Sequence, residues 1–126
     1  MEEIILYHNP QCSNSRGALE LLRASGRPLR VIEYLQTPPD AGTLEALFER
    51  YAGPDADMVR FKQREAAAQG ISPSSDRTSL VKAIVAAPIL MQRPLVIVDG
   101  ETVIARPPDV LRERLEDLLG EDTGAP

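Results

Sequence analysis

Residues 3–35 read EIILYHNPQCSNSRGALELLRASGRPLRVIEYL, and their order decides the fold. Glu3–His8 is an apolar, β-branched run, the pattern of a buried strand. NPQCSNS is made of turn formers. Beyond it the period changes: Ala18, Leu21, Leu22 and Ser25 recur at helical spacing and give one apolar or small face. Gly26 stops that helix and Pro28 stands just beyond it. Leu29–Leu35 then reads as a second strand. Strand, helix and strand on short links make a βαβ unit, whose two strands are expected to be parallel.

Working outward, QTPPDAGTLEALFERYAG predicts a turn and a helix, with Thr43 as candidate cap and Leu44, Leu47 and Phe48 as inner stripe. PDADMVRFKQREAAAQG reads as a second helix, from near Pro54 to Gly70. ISPSSDRTS is a polar loop, and TSLVKAIVAAP a third helix stopped before Pro88. Residues of about 40–90 thus form a helical insertion. RPLVIVDG and ETVIARP read as a hairpin on an Asp-Gly turn. PPDVLRERLEDLLG closes the chain as an amphipathic helix with Val110, Leu111, Leu115, Leu118 and Leu119 inward, and EDTGAP is expected to fray. The expectation is one α/β domain over residues 1–126: a small mixed sheet, βαβ then ββα, with a helical insertion between the halves.

At 126 residues, 43% hydrophobic and 26% charged, the composition suits one globular domain. A net charge of −5 argues against nucleic acid and anionic lipid as partners, since both want a basic face. MEEIILYHNP opens acidic, unlike a signal peptide, and no apolar run approaches the roughly 20 residues that span a bilayer. A cytoplasmic protein is expected, in which thiols stay reduced. One Cys excludes an internal disulfide, and one His leaves few ligands for a metal, so no metal is expected. The basic residues include only two lysines, Lys62 and Lys82. Genome composition alone gives such a bias, but arginine is also the better oxyanion clamp, because its planar fork donates two parallel hydrogen bonds.

Cys12, the only cysteine, follows a strand and precedes a helix. Unpaired N–H groups at a helix start favour a negative charge. There, beside cations, a thiol's pKa falls from about 8.5 to roughly 3.5–7.5, and the thiolate is the nucleophile. The same donors suit an oxyanion. Ser13, Asn14 and Ser15 add small polar groups, and Arg16 adds a cation one turn on. A buried, inert thiol is the competing reading, but HNPQCSNSR is too polar and turn-rich to wrap a core thiol. His8 has two readings, polarising the site or holding a structural hydrogen bond.

YHNPQCSNSR resembles the active-site loop of the glutaredoxin-coupled (ArsC-like) arsenate reductases. The resemblance runs through YLQTPP, MVRFKQ, PILMQRPLVI and ARPPDV, in order along the chain. It implies a thioredoxin-like fold with a helical insertion. It places the family's nucleophile on Cys12 and its three oxyanion-binding arginines on Arg60, Arg93 and Arg106. It places the family histidine on His8, an arginine after the loop on Arg16, and the fold's cis-proline on Pro94, and it makes His8, Ser15 and Arg16 candidate substrate-binding residues. Ser15 stands where a dithiol motif has its second cysteine. Arg93 and Arg106 each precede a proline, which restricts them independently of any family. Ala87 stands where family members often have a histidine, and FKQREAAAQGI resembles a less characterised branch.

The resemblance implies reduction of arsenate to arsenite, with glutathione as co-substrate, glutaredoxin as partner, and no metal or bound organic cofactor. Two other readings compete. Transcriptional regulators of this fold bind RNA polymerase, but they typically carry a CxxC switch that Ser15 removes. A glutathione-linked thiol oxidoreductase acting on disulfides would have less need of three arginines.

Overall fold

The computed structural model describes residues 3–115. Four strands form one mixed sheet, β1 (Ile4–His8), β2 (Leu29–Glu33), β3 (Leu95–Val98) and β4 (Glu101–Ile104), in the order β2-β1-β3-β4. β1 and β2 are parallel, with Ile4 opposite Leu29 and His8 opposite Glu33, as the βαβ reading requires. β3 runs antiparallel to β1, and β4 antiparallel to β3. The β3–β4 turn is Asp99-Gly100, with φ of 50° and 78°. Two successive positive φ values match the twist of a two-residue hairpin, and the glycine adopts its value without steric cost.

Side chains alternate across each strand, so the sheet has two apolar faces. Ile4, Leu6, Val96 and Val98 meet Ala18 and Leu22 of α1 (Ser13–Ala24), together with Leu111 and Leu115 of the helical residues 110–115. Tyr7 and Leu95 belong to the other cluster, with Leu44, Leu47 and Phe48 of α2 (Ala41–Glu49) and Leu80 and Ile84 of α4 (Arg77–Ala86). Burying each such side chain contributes about 1.5–3 kcal/mol. The helical insertion is therefore the sheet's second cover. On α1, Leu21 and Ser25 are only half-buried, and Ser15 completes the buried face. Leu118, Leu119 and the final EDTGAP lie outside the described residues.

Two local expectations need correction. Thr43 does not cap α2: the Asp40 carboxylate accepts from the Thr43 amide at 2.8 Å, and Asp76 does the same for α4 through Ser79. Residues 54–70 do not form one helix. A 3-10 turn (Asp55–Met58) gives way to an extended Val59, followed by the short α3 (Arg64–Ala68). Val59 pairs antiparallel with Met91, the Arg60 amide donates to Leu90 at 2.8 Å, and the Gln92 amide donates to Met58 at 2.9 Å. These long-range bonds replace helical ones and draw Arg60 to the segment that carries Arg93.

Candidate active site

Cys12 sits at the sheet edge where β1 ends. It is the N-cap residue of α1, with extended backbone (φ −100°, ψ 123°). Its amide donates to Asn9 and its carbonyl accepts from Arg16, each at 3.0 Å, so the loop closes as the helix begins. The residue is 7% exposed. The thiol makes no short capping bond; sulfur is large and takes longer, looser contacts. Burial pushes the thiol up. The Ser15 amide, a bond from Arg93, the Asn14 amide and the Arg93 charge outweigh it and hold Cys12 below the ordinary thiol value.

The three predicted arginines line one cavity of about 440 Å³. Arg106 reaches the Cys12 sulfur with Nη1 at 4.0 Å, and the same atom donates to the Arg93 carbonyl at 3.3 Å. Arg60 donates from Nη1 to the Ile89 carbonyl at 3.2 Å. Arg93 differs: its Nε and Nη1 are buried and have no hydrogen-bond partner among the described residues. The Arg93–Pro94 and Arg106–Pro107 peptide bonds are both cis. Guanidinium donors wall this cavity, and Arg93 and Arg106 also reach the neighbouring Cys12 thiol, an arrangement that can accept an anion. A second cavity, of about 480 Å³ and lined by residues such as Tyr7, Thr43, Leu47 and Ile97, contains none of the predicted site residues.

The remaining site candidates brace the loop. Ser15 is fully buried; its hydroxyl lies 2.6 Å from Nδ1 of His8 and accepts from the Asn9 amide at 2.9 Å. The hydroxyl has one proton to give and two lone pairs to accept with, so beside the Asn9 N–H it can pair with Nδ1 in either ring tautomer. Burial lowers the His8 pKa; Glu33 opposes this, and Arg23 and Arg16 add to it. Of the two readings of His8, the structural hydrogen bond is the one observed. Ser15 meets the thiol through its backbone amide rather than its hydroxyl. Arg16 donates from Nη1 to the Pro10 carbonyl at 2.9 Å and clamps the loop.

Some contributors were not anticipated from sequence. Asn9 ties the loop together, since its side-chain oxygen accepts from the Gln11 amide at 3.0 Å while its backbone bonds Ser15 and Cys12. The Asn-Pro pair was the signal for this Asx-type turn. Gln63, with its amide oxygen turned toward Arg60, accepts from Nη2 at 2.6 Å and Nη1 at 3.3 Å. No local pattern announces that pair. Among the described residues, no group of three His, Cys, Asp or Glu side chains is arranged to hold a metal ion. No helix there is long and apolar enough to cross a membrane.

A small mixed sheet with a cysteine at the start of its first helix and a cis-proline entering β3 defines a thioredoxin-like fold. The ArsC family model matches residues 7–114, and the chain belongs to the ArsC family. It is 38% identical over 109 residues to an arsenate reductase of Neisseria meningitidis serogroup A, covering 85% of this chain and 93% of the relative. It is 37% identical over 114 residues to the uncharacterized protein YfgD of Escherichia coli strain K12, covering 89% and 96%. A solved arsenate reductase from Vibrio cholerae superposes with a TM-score of 0.78 at 32% identity, covering 88% of this chain and 96% of that one.

Proposed function

We propose that the chain reduces arsenate to arsenite through Cys12, with glutathione and glutaredoxin supplying the electrons. The observation that carries this reading is Arg93: a half-buried cation with two buried, unpartnered donor atoms, beside a thiol held below its ordinary pKa. A tetrahedral oxyanion answers both, since it accepts from the guanidinium and offers a centre for the thiolate to attack. The names of the related arsenate reductases support the choice of arsenate.

The steps balance without a metal. The Cys12 thiolate attacks arsenic, an As–S bond forms, and one oxygen leaves as water after protonation. Arg60, Arg93 and Arg106 offset the charge of the anion and of the intermediate. Glutathione's thiol replaces a second oxygen, again released as water. A glutaredoxin thiolate then attacks the glutathione sulfur. The As–S bonding pair stays on arsenic, which passes from As(V) to As(III), and the two reductant thiols leave as a mixed disulfide. Water displaces arsenite and regenerates the Cys12 thiolate. Both resolving thiols come from outside, because the chain has no second cysteine.

The test is arsenate-dependent oxidation of glutathione in the presence of glutaredoxin. Wild-type protein turns over and Cys12→Ser does not. Full turnover by Cys12→Ser, or none by the wild type with any glutaredoxin, contradicts the proposal.

A further inference from the structure

Tyr34 directly follows β2, and β2 pairs with β1 so that Glu33 lies opposite His8. The next residues, Tyr34 and Asn9, therefore leave the sheet at the same edge, the one that carries Cys12. Tyr34 is fully buried, packed in the cluster that includes Met58, Val59, Leu90 and Met91, the residues leading to Arg60 and Arg93. Its hydroxyl is buried and makes no hydrogen bond of good geometry among the described residues; Asn9 approaches it only as a donor, which leaves the phenol proton without an acceptor. The Asn9 side chain reaches it as a hydrogen-bond donor, and the charges of Arg93 and Cys12 act on it, so it lies toward the site.

Buried phenol hydroxyls normally find a partner, and one left unmade costs about 1–3 kcal/mol. The buried atoms without partners beside Cys12 are this hydroxyl and the Nε and Nη1 of Arg93. All three can donate, and no acceptor among the described residues answers them. We infer that Tyr34 is a fourth oxyanion-binding residue of the Cys12 site, donating its phenol O–H to an oxygen of the bound tetrahedral anion.

This inference rests on the oxyanion reading of the site and goes beyond the three arginines. Burial raises the Tyr34 pKa more than Asn9 and Arg93 lower it, and the Cys12 charge raises it further, so the phenol keeps its proton. As a neutral donor, Tyr34 adds direction without charge. Its contribution is therefore less screened by salt than that of an exposed arginine.

The experiment measures alkylation of Cys12 by iodoacetamide in wild type and Tyr34→Phe against rising inorganic phosphate and arsenate. Phenylalanine keeps the ring and removes only the hydroxyl. The anion concentration for half-protection is expected to rise about tenfold or more in the variant, with the melting temperature not lowered. An unchanged half-protection concentration overturns the role of Tyr34. Absence of protection in the wild type overturns the oxyanion reading, and the role of Tyr34 falls with it. Should Tyr34→Phe not fold, the Cζ carbon resonance of Tyr34 in the unsubstituted chain decides. It is expected to shift with phosphate at the same midpoint as protection, and a fixed resonance under full protection overturns the inference.

Discussion

Arg106 brings Nη1 to 4.0 Å from the Cys12 sulfur across 94 positions of sequence, while that same atom holds the Arg93 carbonyl at 3.3 Å. One guanidinium thus links the nucleophile to the backbone of a second cation. The two arginines do different work on the thiol. Arg93 is half-buried and lowers the thiol's pKa, whereas Arg106 is exposed and screened by water. Arg93→Ala is expected to raise the pH midpoint of Cys12 alkylation more than Arg106→Ala does. Both should lower kcat/KM for arsenate by about tenfold or more, from loss of charged hydrogen bonds. Equal midpoint increases in the two variants contradict this division.

Ser15→Ala removes an oxygen that serves both His8 and the Asn9 amide. Leaving those buried groups unpaired is expected to cost about 1–3 kcal/mol in urea unfolding. The Ser15 amide remains, so the alkylation midpoint of Cys12 should move little. A loss under about 0.5 kcal/mol, the ordinary surface range, contradicts a bracing role.

His8 should be neutral near pH 7, as nitrogen chemical shifts would record. Its folded pKa lies below the unfolded value of 6.5, chiefly through burial. The unfolded chain therefore takes up the proton first as pH falls. This contribution to stability is complete above 6.5 and is lost as pH falls through the folded value. Wild type should lose stability on acidification more steeply than His8→Gln. Parallel pH profiles, or an imidazolium at pH 7, contradict this.

Gly17 lies where an added Cβ would meet Cγ of Pro108 at 2.9 Å, too close for either to stay in place. That contact seats the Arg106-Pro107-Pro108 turn on the first turns of α1. Gly17→Ala gains about 1 kcal/mol of helix propensity, which offsets part of the clash in stability. The functional loss is therefore expected to exceed the loss of stability, with weaker phosphate protection of Cys12 as the readout. Unaltered protection shows that the turn does not depend on this approach.

Much of this was legible in the residues. The βαβ unit, the Asp-Gly hairpin and the inner stripe of Leu44, Leu47 and Phe48 follow from local periodicity, because each buries its own face. Cys12 at the start of a helix was legible for the same reason. What escaped depends on distant partners. The break at Val59 comes from Met91, 32 positions away along the chain and paired through backbone alone. Asp40 displaced Thr43 as cap because either side chain can reach an open amide, and only the chain's approach decides which does. Gln63 and Tyr34 gain their places from tertiary packing, which no window of neighbouring residues reports.

Cys12 is a thiolate poised beside an oxyanion pocket if its reactivity follows the charges around it. The pH dependence of Cys12 alkylation, with and without arsenate, tests it most directly. The midpoint is expected well below about 8.5, the value of a free thiol, with slower alkylation when arsenate is added. A midpoint at or above that value, or alkylation indifferent to arsenate, contradicts it.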